Sequence, residues 1–535
     1  MRIAVVSTYT HPTRLPRKER GVMQSSVPEL IASLCPDQAE VEIYNEKEAD
    51  IPLDRDWDLV FFSYLHSYYE HTKVLSTLLR RRGVKTVAGG RHALHFADDC
   101  ENYFDSVITG EPEANVPALI GDFERGNLQR RYNLPSAGPT AIKPYRYDLI
   151  DFRTNRIRLP GIEASRGCPF TCNFCVLTGH ERYRYRPVQH VIDEIKFKMQ
   201  WNKNYFGLFD NSFSFLDNNL GGNTRYLREL CQELIPLKKT WGCALTFNVL
   251  KDEETVKLMA QAGCRYVYTG LESLNPDSIK AMNKGQNKIS DVDKTIRRCF
   301  ENGIMLSFGL LVGSDGDTNE YLERLPDYLS DLMYFNITFL GIVSPYPETP
   351  FFRQLAKEGR ILPNTVSRDY DGYTLCHRPL ALEPTEVVDH FKRLCRQLGS
   401  LTNVARHYHS KLWTNSMPNY KKVNLASGPE ILSVRNPISN PSRKYIAGLD
   451  PIEEWDRNMM AKLSLPLQRI GFTLPTSADS ARISAAQNTF RKGRATQQPP
   501  LSTNQKDEIE NTTPTSKRRV DSRNSLVDQR AAIYQ

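Results

Sequence analysis

Along the chain, hydrophobic positions alternate between short apolar runs of strand length and longer stretches with helical spacing. Arg2–Ser7 is an apolar strand, Val27–Leu34 has helical spacing, and Glu40–Tyr44 is a second strand. Asp58-Leu59-Val60-Phe61-Phe62-Ser63 is a buried strand with a polar stop at each end. Tyr69–Arg82 repeats Val74, Leu75, Leu78 and Leu79 on one helical face and stops at Gly83. Lys85–Ala88 and Ser106–Thr109 are the next strands. This rhythm predicts a doubly wound parallel sheet of Rossmann type over 1–125. Residues 126–155, rich in Arg, Tyr and Pro, read as a linker. From 156 to 345 the alternation resumes. Strands are expected at Ile157–Ala164, Tyr205–Asp210, Gly242–Val249, Tyr266–Leu271, Met305–Val312 and Asn336–Val343. Helices are expected near 188–202, 223–235, 252–262, 291–302 and 319–332. Six strand–helix units predict a partial (β/α)₆ barrel, TIM-like in plan. A partly helical extension over 346–425, opening its helix at Pro384-Thr385-Glu386, and a poorly ordered tail over 426–535 complete the α/β plan.

Parallel sheets of both kinds hold ligands beyond the carboxyl ends of their strands, and these are the places where the sequence carries Gly and polar groups. In the first domain one strand ends in Gly89-Gly90-Arg91-His92 and the next in Gly110-Glu111-Pro112-Glu113. In the second, Phe209-Asp210-Asn211-Ser212-Phe213 is read as following the second strand. Gly270-Leu271-Glu272-Ser273 follows the fourth, with Met282-Asn283-Lys284-Gly285 beyond it, and Gly309–Thr318 closes the fifth. Lys284 reads as a solvated charge.

The densest chemistry follows the first barrel strand. Cys168, Cys172 and Cys175 are spaced C-x₃-C-x₂-C on a loop that Gly167 and Pro169 keep out of regular structure. Soft thiolates select zinc or iron–sulfur clusters. Structural zinc takes four protein ligands, and no fourth Cys or paired His follows at that spacing, so three cysteines suggest a cluster with one iron left open. The other cysteines are dispersed and read as small buried hydrophobes, so a single cluster is expected.

The stretch Cys168–Cys175, with Phe174 as the aromatic before the last Cys, resembles the signature of the radical S-adenosylmethionine (SAM) superfamily. That resemblance implies a [4Fe–4S] cluster on Cys168, Cys172 and Cys175, SAM on the open iron, and cleavage to a 5′-deoxyadenosyl radical, chemistry that the cofactors supply. It also implies SAM contacts from Phe174, Asp210, Asn211, Glu272, Ser273, Gly309 and Gly313. The upstream order of strand, Gly-Gly-x-His, strand, Gly-Glu-x-Glu is similar to the cobalamin-binding domain of one large subclass. Gly89, Gly90, His92, Gly110 and Glu111 are then the expected cobalamin contacts. The D-x-H-x-x-G motif of other cobalamin proteins is absent; His11 and His66 follow strands without it. From about 156 to 400 the chain, through Ser344-Pro345-Tyr346-Pro347-Glu348-Thr349-Pro350 and Arg378-Pro379, resembles the subclass that includes hopanoid methylases. It implies methyl transfer to an unactivated carbon of a small molecule or lipid, with an electron donor such as flavodoxin or ferredoxin. The alternatives are a radical cyclase or rearrangement enzyme and, more remotely, a non-catalytic metal-binding module.

Composition changes this picture little. Of 535 residues, 70 are Lys or Arg and 62 Asp or Glu, a net charge of +8 that is weak support for nucleic acid, and none is expected as a partner. Eleven cysteines without a signal peptide point to a reducing cytoplasm. No apolar run reaches spanning length, which leaves peripheral membrane contact open. The last 60 or so residues are too polar to bury a core, and Lys517-Arg518-Arg519 reads as a solvated charge run.

Overall fold

The computed structural model describes residues 1–10, 26–138, 145–149, 159–178, 182–202, 210–332, 335–398, 400 and 443–449. The chain divides into two compact units, Met1–Met459 and Met460–Gln535. The second lies wholly outside the described residues, as do the expected Ile157–Arg158 start of the first barrel strand and most of Tyr205–Asp210.

The first sheet is entirely parallel. Its strands are β1 (Arg2–Ser7), β2 (Glu40–Asn45), β3 (Leu59–Ser63), β4 (Lys85–Gly89), β5 (Ser106–Ile108) and β6 (Arg131–Tyr132), in the order β2-β1-β3-β4-β5-β6. Because side chains alternate across a strand, Ile3, Val5, Leu59, Phe61 and Val87 share one face. They pack there with Leu30 and Ile31 of α1 (Val27–Ser33) and with Val116, Leu119 and Ile120 of α5 (Pro112–Glu124). The helix α2 (Tyr69–Arg81) covers the other face, where Ser76 Oγ lies 2.8 Å from Thr86 Oγ1. Two short helices, α3 (Arg91–His95) and α4 (Ala97–Cys100), follow β4. The order reverses between β1 and β3, the switch point at which such sheets bind ligands. Strand β6 comes from the stretch read as linker.

The second sheet is also parallel, and its order follows the chain: β7 (Gly161–Ile162), β10 (Ser212–Phe215), β11 (Thr240–Ala244), β12 (Cys264–Glu272), β13 (Met305–Val312) and β14 (Phe335–Ile342). Among the described residues no pairing joins β7 to β14, so the barrel is partial. Between its strands lie α6 (Val188–Trp201), α7 (Thr224–Leu234), α8 (Glu253–Gln261), α9 (Pro276–Ala281), α10 (Val292–Glu301) and α11 (Asn319–Asp331). Two helices follow, α12 (Pro350–Lys357) and α13 (Pro384–Leu398), and α13 buries Val387, Val388, Phe391 and Leu394 in the barrel core.

Four expectations need correction. Among the described residues the first barrel strand spans only Gly161–Ile162, and a separate antiparallel hairpin, β8 (Ser165–Arg166) with β9 (Arg184–Tyr185), brackets the cysteine loop. The second strand is Ser212–Phe215, beyond the expected site, where Phe213, Phe215 and Trp241 pack edge to face. The third ends at Ala244; the apolar positions Phe247, Val249 and Leu250 enter the core from a 3₁₀ turn instead. Finally, 443–449 belongs to the fold rather than to a loose tail. Ile446 bridges Leu375, Tyr445 is buried against Phe391, and Arg443 pairs with Asp371 at 2.5 Å. Tyr445-Ile446-Ala447 are buried there with Arg443, while Leu449 stays exposed.

Candidate active site

Gly167 starts the cysteine loop at φ +81°, where a Cβ would lie 2.8 Å from the Arg182 carbonyl oxygen. Only glycine turns there so close to β9 without strain. The loop is then tied to the turn after α9. Asn173 N donates to the Met282 carbonyl (3.2 Å), Asn173 Nδ2 to Ala281 O (2.7 Å), and Asn283 Nδ2 to Thr171 O (2.8 Å). Phe351 at the start of α12 donates its N–H to Asn173 O. Phe174 packs with Phe351 and Leu355 of α12, below the Lys284 ammonium at 5.9 Å.

Cys172 is buried, and Cys168 and Cys175 are partly exposed. Each sulfur has an N–H donor: Asn219 Nδ2 at 3.6 Å from Cys168, Gln286 Nε2 at 3.4 Å from Cys172, and the Leu177 backbone for Cys175. Burial nevertheless pushes the Cys172 and Cys175 thiols up, despite Lys284 pulling down. A bound cation is what would hold three such thiolates together. Among the described residues no three His, Cys, Asp or Glu side chains stand grouped as a ready-made metal site. The donor set, soft and supplied with N–H···S bonds, fits an iron–sulfur cluster.

At the carboxyl end of β10 stands Asp217, not the expected Asp210. Asp217 accepts from the Ser165 backbone N–H, from Ser165 Oγ (2.5 Å) and from Ala164 N (3.1 Å), and so holds the hairpin that precedes the cysteines. Its complete burial raises its carboxyl to about 7, against those hydrogen bonds. Asn219, two residues on, links Cys168 to Thr246 N. Asp210 and Asn211 precede β10 and therefore lie at the other end of the sheet, where Asn211 accepts from Lys239 and Thr240. Because β10 spans Ser212–Phe215, its carboxyl end falls at Asp217 and Asp210 precedes it.

At the end of β12 the register shifts between Gly270 and Glu272, and Glu272 takes φ +68°. A non-glycine residue in that region stores strain that its surroundings must offset. Lys284 Nζ sits 2.5 Å from Glu272 Oε1, both buried, so Lys284 is not the solvated charge expected. A Cβ at Gly270 would come within 2.1 Å of Glu272 Oε1 and 2.8 Å of Lys284 Nζ; glycine leaves room for that pair. Asn287 Nδ2 caps the Gly270 and Leu271 carbonyls, and its own Oδ1 is buried without a partner. Ser273 Oγ lies 3.0 Å from the Tyr321 hydroxyl of α11 and accepts from Asn275 N. On β13, Gly309 makes space for the Tyr268 hydroxyl, which a Cβ would meet at 2.3 Å. Gly313, at φ +87°, is held through its N–H by Asp317 and faces His377 Nε2 through its carbonyl at 3.0 Å.

In the first domain Gly89 and Gly90 end β4. His92 is buried beside them, its Nδ1 2.6 Å from His66 Nδ1 and its Nε2 without a partner. Burial lowers His92 to about 2 and His66 to about 4, so the pair is two neutral rings sharing one hydrogen. Tyr64, Tyr69, Phe96 and, from the extension, Tyr370 surround them. Gly110 packs against Asn115 Nδ2, and the Glu111 carboxylate is taken by Arg184, Arg166 and Ser136. The glycine turns at the carboxyl end beside the switch point, with an orphaned imidazole nitrogen, fit a flat polar-rimmed cofactor such as cobalamin.

Residues 162–329 match the radical SAM superfamily. The chain carries a radical SAM domain. That domain makes the protein an enzyme and implies a [4Fe–4S] cluster and SAM. Over 361 residues the chain is 28% identical to the bacteriochlorophyllide d C-8(2)-methyltransferase of Chlorobaculum tepidum, which spans 65% of this chain and 78% of that relative. It is 25% identical over 348 residues to the hopanoid C-2 methylase of Rhodopseudomonas palustris, covering 62% and 64%. A magnesium-protoporphyrin IX monomethyl ester cyclase of Cereibacter sphaeroides is 28% identical over 291 residues, covering 52% and 42%. Among solved structures, the radical SAM methyltransferase TsrM of Kitasatospora setae, with cobalamin and a [4Fe–4S] cluster bound, aligns with a TM-score of 0.55 at 16% identity, over 80% of this chain and 99% of that one. That likeness is one of fold. The radical SAM match begins at Ile162 in β7 and ends inside α11, so it holds the cysteine loop, Asp217, Glu272 and Gly313 together. Sequence reasoning missed Arg166, Asp217, Asn219, Lys284 and Gln286. The signal for Asp217 was present, a polar Asp-Asn-Asn directly after the alternating Ser-Phe-Ser-Phe. No helix among the described residues is long and apolar enough to cross a membrane.

Proposed function

We propose that this protein is a cobalamin-dependent radical SAM methyltransferase that adds a methyl group to an unactivated carbon of a small molecule or lipid. The observation that carries the reading is the complete β2-β1-β3-β4-β5-β6 sheet, with Gly-Gly-x-His at its carboxyl edge, in the same compact unit as the cysteine loop. A radical SAM domain needs no such sheet for SAM cleavage alone; a second cofactor does. The bacteriochlorophyllide and hopanoid methyltransferases among the relatives support methyl transfer.

When bound, the cluster and SAM supply a radical that removes hydrogen from carbon, and cobalamin supplies a transferable methyl group. The chain's part is placement. Cys168, Cys172 and Cys175 hold the cluster, with Asn219 and Gln286 donating to the sulfurs. Glu272, paired with Lys284, and the Gly309–Gly313 segment present acceptors for the polar groups of SAM. Gly89, Gly90 and His92 form the floor for cobalamin. Gly110 and Glu111 belong to the joint between the two domains. Asp210 and Asn211 have no part here. Orientation of two reactants in a closed site substitutes for much of the catalytic group chemistry, so no general base is assigned. A reduced flavodoxin or ferredoxin in a reducing cytoplasm would supply the electron.

The cyclase relative favours a second reading, radical ring formation or rearrangement without methyl transfer. Anaerobic incubation of the enzyme with CD₃-labelled SAM, hydroxocobalamin, a reductant and a metabolite extract separates the two. Methyl transfer predicts a product carrying the three deuteriums and heavier than its precursor by one CD₃ group less the hydrogen it replaces. An unlabelled product isomeric with its precursor, or lighter by hydrogen, points to the second reading.

A further inference from the structure

The sequence places Gly110-Glu111-Pro112-Glu113 in the first domain and Glu163-Ala164-Ser165-Arg166 in the second, with the whole linker between them. The fold brings them into contact. Arg166 NH2 donates to Glu113 Oε1 at 2.6 Å and to Glu163 Oε2 at 2.9 Å, while Arg166 Nε donates to Glu163 Oε1 at 2.6 Å. Arg166 NH1 lies 3.7 Å from Glu111 Oε1, and Arg184, the residue opposite Arg166 in the hairpin, pairs with Glu111. Tyr145 of the linker donates its hydroxyl to Glu163 Oε2 at 2.6 Å.

Three features set this cluster apart from a surface ion pair. The Glu113 side chain is 2% exposed and the Arg166 side chain 15%. The other Glu113 oxygen, Oε2, is buried without a partner, so Arg166 is what compensates that carboxylate. Moreover, two arginines directly opposite each other in a two-residue hairpin repel, and the acids of α5 neutralise them from the other domain. Asp217 holds the same hairpin from the barrel side through Ser165. Arg166 is joined to Cys168 by Gly167 alone.

We propose that Arg166, gripped by Glu113 and Glu111, is a positioning residue that fixes the cobalamin domain against the first cluster ligand and so sets the separation of the two cofactors. The proposal rests on the cobalamin reading above. Arg166 touches neither substrate nor cofactor in this role; it acts through the hairpin.

The test uses the full chain, loaded anaerobically with iron, sulfide and hydroxocobalamin and reduced to give a paramagnetic cluster and cob(II)alamin. Pulsed EPR then reads the dipolar coupling between the two centres, and hydrogen–deuterium exchange reads residues 110–113 and 164–167. Wild-type protein is expected to give one narrow distance distribution. Glu113→Gln should retain cluster and cobalamin, broaden that distribution, and raise exchange several-fold on both sides of the joint. Arg166→Lys, which keeps the charge but loses the fork, should give an intermediate result with the cluster intact. Unchanged distance distribution and unchanged exchange in Glu113→Gln would overturn the proposal. Wild-type protein that takes up a cluster but no cobalamin would instead overturn the function reading. The exchange arm would then decide the joint alone, with protection of both segments lost in Glu113→Gln supporting it and protection kept refuting it.

Discussion

The carboxyl ends of the two sheets are built from different materials. Around His92 the groups are chiefly aromatic: two imidazoles pushed far down by burial, stacked among Tyr64, Tyr69 and Phe96, with Lys73 and Asp99 only at the outer edge of Tyr69. Around the cysteine loop the groups are ionic or hydrogen-bonding: the Glu272–Lys284 pair, Asp217 buried on the Ser165 and Ala164 N–H groups, and N–H donors on each sulfur. A large, flat ligand with a polar rim needs an aromatic floor that excludes water. An anionic cluster with a zwitterionic ligand needs preset dipoles in a dry site, where they act most strongly. The difference therefore teaches which cofactor each sheet end is built for, and it can be broken one region at a time.

The largest effect belongs to Cys172→Ala. SAM cleavage, read as 5′-deoxyadenosine by chromatography, should fall to background, while far-UV circular dichroism and cobalamin uptake remain. Retained cleavage would remove the charged region's purpose. Next is Lys284→Met, which leaves Glu272 buried and uncompensated. Breaking such a pair costs about 3–5 kcal/mol, to be seen as a lower urea midpoint; a change below about 1 kcal/mol would mean the pair is solvated after all.

The two regions also predict opposite responses to pH. Asp217 has its carboxyl raised to about 7. Between its unfolded value near 4 and that point only the folded state holds the proton, so its contribution to stability is lost as pH rises. The slope is about 1.4 kcal/mol per pH unit. Asp217→Asn should remove that slope between pH 4 and 7, in denaturation curves compared across pH. His66 and His92 run the other way. With folded values of about 4 and about 2, they stay neutral while the unfolded rings bind protons, so stability is lost as pH falls below about 6.5. The smallest change is expected from His66→Asn, which should flatten the acid limb by up to about 1.4 kcal/mol per unit and leave the limb above pH 7 unmoved. Identical acid limbs in wild type and variant would mean the imidazoles are charged and exposed.

Much of this was legible in the sequence because periodicity reports burial. The strands of the first sheet alternate Ile3/Val5 against Ala4/Val6, both sides covered by helices, and read as continuous apolar runs. The cysteine spacing needed no fold at all. What stayed hidden were relations between distant segments. Nothing in the sequence pairs Arg166 with Glu113, which the fold brings to it at the start of α5. Lys284 looked solvated until the register shift at Glu272 turned a carboxylate inward. Ser212–Phe215 pairs with β11, so Asp210 stands before that strand; hydrophobicity alone does not fix where a strand in such a stretch begins. The packing of 443–449 could not be foreseen, since three apolar residues in a polar tail carry no period.

The central claim is that one compact unit carries two cofactor sites. Anaerobic reconstitution with iron, sulfide and hydroxocobalamin, followed by gel filtration and measurement of iron, sulfide and cobalt, tests it most directly. The account predicts one [4Fe–4S] cluster and one cobalamin retained per chain, with the cluster lost and the cobalamin kept in Cys172→Ala. A chain that retains the cluster but elutes free of cobalt contradicts it.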